Sequence, residues 1–270
     1  MKIPKTLKTL ILAAIVITLA ACTSVPVEHP PVTTTQASTQ EVVTTEETTA
    51  ESNTNTIDPS KPLVALTLDD GPCTTITVQI LDILEERGLV ATFFVIGQNI
   101  NDQTVPIMER GYAMGCEYAN HSWVHSSMGG MSYEEIVENV TKTEDKIAEV
   151  LGEAARPKYF RPPNLNTSTL LIDTLKELGY PMMQGFMGND WTNNSSEQIY
   201  NLIVPKISDG SIILLHDGSS FKNTPEAVEM IIDELLEQGY QFVTVSELFE
   251  IKGINPQPGL NYNNVWGTWE

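Results

Sequence analysis

Two adjacent carboxylates, Asp69 and Asp70, end the apolar run Leu63-Val64-Ala65-Leu66 and are followed at once by Gly71-Pro72. Like charges this close raise each other's pKa, so such a pair at the end of a buried strand calls for a cation, a base or a strong partner. Two later stretches, Asn120-His121-Ser122-Trp123-Val124-His125 and Ile213-Leu214-Leu215-His216-Asp217, hold three of the four histidines of the chain. Imidazoles four residues apart share one side of a helical turn and can reach one ion, so the spacing predicts a turn at 121–125. With Asp70 they form a two-histidine, one-carboxylate set with open positions, which suits a catalytic divalent metal. Such a cation lowers the pKa of bound water and polarises a carbonyl oxygen. Asp69 is then free to act as general base, His216 as general acid, and Asp190 to orient His216 and keep it protonated. The plainer reading is a strand that stops at a polar Asp-Gly turn, with core histidines satisfied by backbone groups. Three histidines at strand ends argue against it.

The elements that must position these groups alternate from Lys61 onward. Apolar runs predict strands at 63–68, 91–96, 116–120, 159–160, 181–187, 211–215 and 241–245. Helical periodicity predicts helices at 75–87, 104–110 (stopped by Gly111), 132–151, 167–178, 195–207 (bent at Pro205) and 225–238. Ser132 and Glu135 form a capping box at the start of the longest of these. Strand–helix repetition of this kind means parallel strands with helices outside, and every polar motif falls just after a strand. The fold class is therefore α/β, a distorted or incomplete (β/α) barrel of seven to eight strands, with a doubly wound open sheet as the alternative. The tail 254–270 carries Tyr262, Trp266 and Trp269 among Asn and Gly, either to pack on the barrel or to stack on sugar.

The ends of the chain read differently. Residues 1–22 have a positive start (Lys2, Lys5, Lys8) and an apolar core from Leu10 to Ala20, the pattern of a secretory signal. Leu19-Ala20-Ala21-Cys22 resembles a bacterial lipobox, which implies cleavage before Cys22 and a lipid on its sulfur. An ordinary signal peptide or an uncleaved anchor helix is the alternative. Residues 23–60, rich in Thr, Ser, Pro and Glu with no Lys or Arg, read as a disordered linker. The expected location is outside the cell, lipid-anchored to the outer face of a bacterial cytoplasmic membrane. A formal charge of -20 over 270 residues argues against a nucleic-acid partner, and no protein partner is evident. Three cysteines are too few for a disulfide scaffold. Cys73 and Cys116 flank the first two motifs, as a disulfide, with Cys73 touching the ion, or as free core residues.

The motifs together resemble the NodB-like polysaccharide deacetylases, carbohydrate esterase family 4, from about Leu63 to Phe249 and in family order. Thr67-Leu68-Asp69-Asp70-Gly71-Pro72 is similar to the first motif, with Leu68 where Phe is usual; the resemblance implies that Asp69 is the base and Asp70 a metal ligand. His121-Ser122-Trp123-Val124-His125 matches the second and implies two more ligands. Arg161-Pro162-Pro163-Asn164 resembles the third, whose Arg pairs with the base. Asp190-Trp191 resembles the end of the fourth, with the Asp supporting the acid and Trp191 lining the acetyl pocket. Leu214-Leu215-His216 resembles the fifth, with Leu214 as a pocket wall. Two further positions depart: Asn164 stands where Tyr is usual, leaving its backbone N–H as the expected oxyanion donor, and Met187 stands where the fourth motif begins with Asp. The resemblance implies that residues 61–270 form a catalytic domain, a metal-dependent carbohydrate deacetylase. One divalent metal is expected, zinc by default, with cobalt, nickel or manganese as alternatives. The substrate is an acetylated polysaccharide, with N-acetyl groups of peptidoglycan or chitin-like glucosamine polymers first. An O-acetyl xylan esterase of the same fold is the alternative, and a catalytically inactive carbohydrate-binding lipoprotein is a further reading.

Overall fold

The computed structural model describes residues 57–269, so the signal segment 1–22, Cys22 and most of the linker lie outside the described residues. The sheet grows from β1 (Leu63–Asp69), every residue of which is buried. A parallel strand covered on both faces reads as a continuous apolar run, as this one does. The chain then continues through α1 (Ile76–Arg87), β2 (Thr92–Val95), α2 (Val105–Ala113), β3 (Glu117–Asn120), α3 (Tyr133–Leu151) and α4 (Thr169–Glu177). It returns through the short β4 (Met182–Met183) and β5 (Phe186–Met187), α5 (Ser196–Ile203), β6 (Ser211–His216), α6 (Thr224–Glu237), β7 (Gln241–Phe242) and α7 (Val245–Ile251). It ends on β8 (Asn261–Asn264) and β9 (Gly267–Trp269).

Among the described residues the strands form one sheet in the order β3-β2-β1-β6-β8-β4, with β5 on β6, β7 on β1 and β9 on β8. Phe160 bridges Asn120 of β3 and Met182 of β4, which closes the circuit. The result is the expected distorted (β/α) barrel. Alternation along β1 sorts the core. Val64, Leu66 and Leu68 pack with Ile80, Leu84, Ile231 and Ile232 of the outer helices. Leu63 and Ala65 pack inside with Phe94, Ile212, Phe249 and Tyr262. The same parity carries Thr67 and Asp69 inward. A third cluster joins Ile136, Val140, Leu171 and Leu175 of α3 and α4 around Phe160.

The structure differs from the sequence-based expectation at several points. α2 runs past Gly111 to Ala113, because Gly111 packs under Tyr118: an added Cβ there would lie 2.4 Å from the Tyr118 hydroxyl. The strand expected over 181–187 is split into β4 and β5. That expected at 241–245 stops at Phe242, where a capping box of Thr244 and Glu247 starts α7. The tail pairs as a hairpin, with Tyr262 and Val265 buried and Trp266 63% exposed. Ile57, assigned to the linker, lies partly buried against the inner cluster, and the exposed Asp58 donates its N–H to Gln241 Oε1 at 2.8 Å.

Candidate active site

The C-terminal ends of β1, β3 and β6 converge on a pocket of about 300 Å³. Asp69, Asp70, His121, His125, Asn164, Trp191, Leu214 and His216 all line it. Arg161 and Asp190 stand behind its wall, 0% and 6% exposed. Strand register accounts for much of this, since β1 and β6 pair in parallel with Asp69 opposite His216 and Thr67 opposite Leu214.

Asp69 points into the barrel toward Arg161, and the two form a buried ion pair through Arg161 Nη1. The other two guanidinium nitrogens are also engaged: Nε donates to the Met183 carbonyl at 2.8 Å, and Nη2 donates to Thr67 Oγ1 at 2.9 Å and the Gln184 carbonyl at 2.6 Å. Burial lowers the Arg161 pKa and the Asp69 charge opposes it. Five donors fixed in one plane make Arg the residue that can hold a carboxylate in a single orientation this way.

Asp70 lies just beyond the strand with φ at 77, in the left-handed region that Asp tolerates better than most residues. Its Oδ1 is buried without a hydrogen-bond partner. The Nε2 atoms of His121 and His125 each lie 3.4 Å from that oxygen. His121 Nδ1 is 2.7 Å from the Arg161 carbonyl, so it donates there and turns the Nε2 lone pair toward Asp70. Burial raises the Asp70 pKa, but the closeness of His121 and the His121, His125 and His216 charges outweigh it and leave it lowered. Burial lowers that of His125, with the Asp70 charge opposing. One ligand atom from each of the three lies within 4.8 Å of the others. Converging acceptors around an orphaned carboxylate oxygen fit a divalent cation. The two histidines do not share a helical turn as the spacing suggested: residues 121–126 form an irregular loop. Asn120 holds it, with Oδ1 accepting from Ser122 N–H at 2.8 Å and Nδ2 donating to the Val140 carbonyl at 2.8 Å.

His216 is held from its far side. Its Nδ1 lies 2.8 Å from Asp190 Oδ1, its backbone N–H donates to Asp190 Oδ2 at 2.9 Å, and Thr224 donates to the same oxygen at 2.7 Å. Burial disfavours the imidazolium, yet the Asp190 hydrogen bond and charge outweigh it, so the His216 pKa is raised. Phe221 stacks on the imidazole with centroids 4.7 Å apart, and Trp191 meets it edge-on at 5.5 Å. Asn164 has φ 57 and ψ 16, a left-handed conformation that Asn adopts more readily than Tyr. Met187, 39% exposed, sits on the rim.

Four residues of this region received no role from the sequence. Thr67 was legible, two positions before Asp69 on the same strand face. Asp217, beside His216, is fully buried and binds the first motif: its Oδ1 accepts from Gly71 N–H at 3.0 Å and its Oδ2 from Thr77 at 2.6 Å. Burial pushes its pKa up to about 7, with the Thr77 hydrogen bond opposing and the Asp70 charge adding. An added Cβ at Gly71 would lie 2.2 Å from Asp217 Oδ2, which explains the glycine. Thr224 and Phe221 carried no sequence signal. Cys73 and Cys116 are free thiols; Cys73 donates to the Asp217 carbonyl at 3.2 Å, and burial pushes Cys116 up to about 11.

Residues 56–183 match the family model for polysaccharide deacetylase. The chain is 42% identical over 206 residues to a bifunctional xylanase/deacetylase of Pseudobutyrivibrio xylanivorans, covering 76% of this chain but only 33% of that protein. It is 34% identical to a peptidoglycan-N-acetylglucosamine deacetylase of Bacillus cereus, covering 72% of this chain and 91% of the relative. It also resembles the structure of a family 4 acetyl xylan esterase from Clostridium thermocellum in complex with a cobalt ion, at a TM-score of 0.72 and 40% identity, over 76% of this chain and all of that one.

Proposed function

Since the chain belongs to the polysaccharide deacetylase family, carbohydrate esterase family 4, we propose that it hydrolyses acetyl groups from a polysaccharide. The first substrates are N-acetylated peptidoglycan and chitin-like glucosamine polymers. One observation carries the reading: Asp69 anchored by Arg161 and His216 anchored by Asp190 face a single pocket beside Asp70, His121 and His125. A protein that only stored a metal or held a sugar has no use for both an oriented base and an oriented acid.

Asp70, His121 and His125 would hold one divalent cation, zinc by default for imidazole-rich sites, with cobalt, nickel or manganese as alternatives. When bound, it supplies Lewis acidity, acidifying water and polarising the acetyl carbonyl. Asp69 takes the proton of the attacking water, and Arg161 keeps that carboxylate aimed until then. The backbone N–H of Asn164 donates to the developing oxyanion. His216, its Nδ1 engaged by Asp190, delivers a proton from Nε2 to the leaving amine or alcohol. Leu214 and Trp191 wall the space for the acetyl methyl.

A second reading, an O-acetyl esterase acting on xylan, is favoured by the higher identity to the xylanase/deacetylase and the acetyl xylan esterase, 42% and 40%, than to the peptidoglycan enzyme, 34%. Acetate release by the metal-loaded full chain from an N-acetylglucosamine oligomer, peptidoglycan and acetylated xylan separates the two. Release from the N-acetyl substrates alone supports the first, and release from xylan alone supports the second. No release from any, with the cation shown bound, overturns both. The lipobox-like Leu19-Ala20-Ala21-Cys22 supports export, with Cys22 as the lipid site and the outer face of the cytoplasmic membrane as the location. Fatty-acid labelling that persists in Cys22→Ala would refute that placement.

A further inference from the structure

Trp266 is 63% exposed, more than any other large apolar side chain among the described residues, while its hairpin neighbours Tyr262 and Val265 are buried. The hairpin packs through those two residues and turns the indole outward. The ring is nevertheless fixed. Its Nε1 donates to the Asp209 carbonyl at 3.0 Å, and the backbone N–H of Trp266 donates to Asn264 Oδ1 at 2.8 Å. Gly210 seats its edge: φ there is 84, and an added Cβ would run into Val265 and lie 3.0 Å from Trp266 Nε1. A large side chain that is already ordered loses little freedom on binding.

The groups beside the ring select the ligand. Lys252 Nζ stands 6.0 Å from the indole centroid and pairs with Asp209 Oδ2 at 2.6 Å. The Asp209 side chain is 42% exposed, so its carboxylate is the open partner of that pair. A carboxylate has about four acceptor sites. Asp209 uses Oδ1 on the Leu63 N–H and Oδ2 on Lys252, which leaves acceptors for a ligand. A sugar ring matches this arrangement. Its C–H face suits the electron-rich indole face, and its hydroxyls donate to the carboxylate. An anionic membrane surface or polymer calls for several free basic groups, whereas Lys252 is neutralised by Asp209 and the chain carries a formal charge of -20.

We propose that Trp266, with Asp209 and Lys252, forms a second carbohydrate-binding site that takes a neutral polysaccharide chain. The inference rests on the polysaccharide-deacetylase reading and extends it. Asp209 and Gly210 precede β6, and His216 ends it. Gly210 N–H donates to the Leu63 carbonyl at 2.9 Å, so the ring lies at the barrel end where the chain enters β1. Six strand residues at about 3.3 Å each put that end about 20 Å from the catalytic pocket. No single sugar unit touches both places. The site therefore holds the enzyme on a polymer, raising the effective concentration of acetyl groups, and leaves short soluble substrates untouched.

The test is affinity electrophoresis of the full chain through native gels containing soluble xylan or glycol chitin. Wild type is compared with Trp266→Ala, with Trp266→Leu, which keeps apolar bulk on the barrel, and with Trp266→Tyr, which keeps a ring. Thermal melting checks that each variant folds. Loss of the indole in the alanine and leucine variants should raise the apparent Kd for the retarding polymer at least about fivefold, the scale of losing a central aromatic contact. Trp266→Tyr should recover most of the binding. On a short acetylated oligosaccharide, kcat/KM of the metal-loaded protein should be the same in all four. Wild type that neither polymer retards, or retardation equal in wild type and Trp266→Leu, overturns the proposal. So does a fall in kcat/KM on the short oligosaccharide that matches the loss of polymer binding. If no acetate is released from any substrate, the deacetylase reading fails instead, and the gels still decide the second site by the same two outcomes.

Discussion

Asp69 and His216 lie opposite one another across β1 and β6, and each is held by a partner that the pocket hides. Asp69→Asn keeps the shape and can still accept from Arg161, but it no longer takes a proton. Acetate release should fall about 10²–10⁴-fold, the usual contribution of a positioned base. Calorimetric cation titration should show binding retained, because Asp70, His121 and His125 are untouched. Near-normal turnover would place the base elsewhere. The pH dependence follows from His216. Burial opposes its charge, Asp190 overcomes that, and the net pKa is raised, so the proposed acid stays protonated to higher pH and is lost as pH rises through the raised value. Asp190→Asn removes the charge that sustains the shift. The alkaline limb of the kcat profile should therefore move to lower pH in that variant. A limb that stays in place would mean that another group sets it.

Arg161 does at the element scale what no single contact could. Its guanidinium ties β1, through Asp69 and Thr67, to the chain between β4 and β5, through the Met183 and Gln184 carbonyls. Arg161→Met would leave the Asp69 charge and two carbonyls buried without partners. Removing one partner of a buried ion pair costs about 3–5 kcal/mol, and urea denaturation of the variant should show a loss of that size. A loss well below it would mean that the pocket rehydrates. Asp217 plays a related part between β1 and β6, clamping Gly71 and Thr77 so that the turn presenting Asp70 has one geometry.

The whole barrel is closed by the tail. β8 pairs with β4 in parallel and with β6 through Ser211 and Asn264, and Tyr262 meets Phe249 edge-on with centroids 5.4 Å apart. Tyr262→Ala should destabilise the fold by about 3 kcal/mol, as large-to-small changes at buried aromatics do. The check is the urea midpoint, and an unchanged midpoint would make the hairpin an ornament. Cation binding is a second property of the molecule as a whole. A ligand that binds only the folded state at about 100 times its Kd stabilises by about 2.7 kcal/mol. Zinc should therefore raise the melting temperature of the wild type, and His121→Ala should abolish the rise. An equal rise in that variant would place the cation elsewhere.

Much of this was legible in the chain because local rules decide it. The apolar run 63–68, the helix periodicity and the Ser132/Glu135 capping box depend on near neighbours, and the strand-end position of each motif follows from them. The spacing of His121 and His125 suggested a shared ion, but the reason given for it, a helical turn, was wrong: Asn120 and the strand before it aim those rings from a loop. Gly111 read as a helix stop because nothing local reveals the Tyr118 hydroxyl packed over it. By itself the sequence determined which residues could do chemistry and that parallel strands would carry them. The tertiary structure alone decided that Phe160 and the tail close the barrel, that Phe221 stacks on His216 and Thr224 reaches Asp190 behind it, and that Asp217 clamps the Asp70 turn. All but the Phe221–His216 stacking join segments far apart in the chain, and all are fixed by packing and burial, which leave no periodic trace along the sequence.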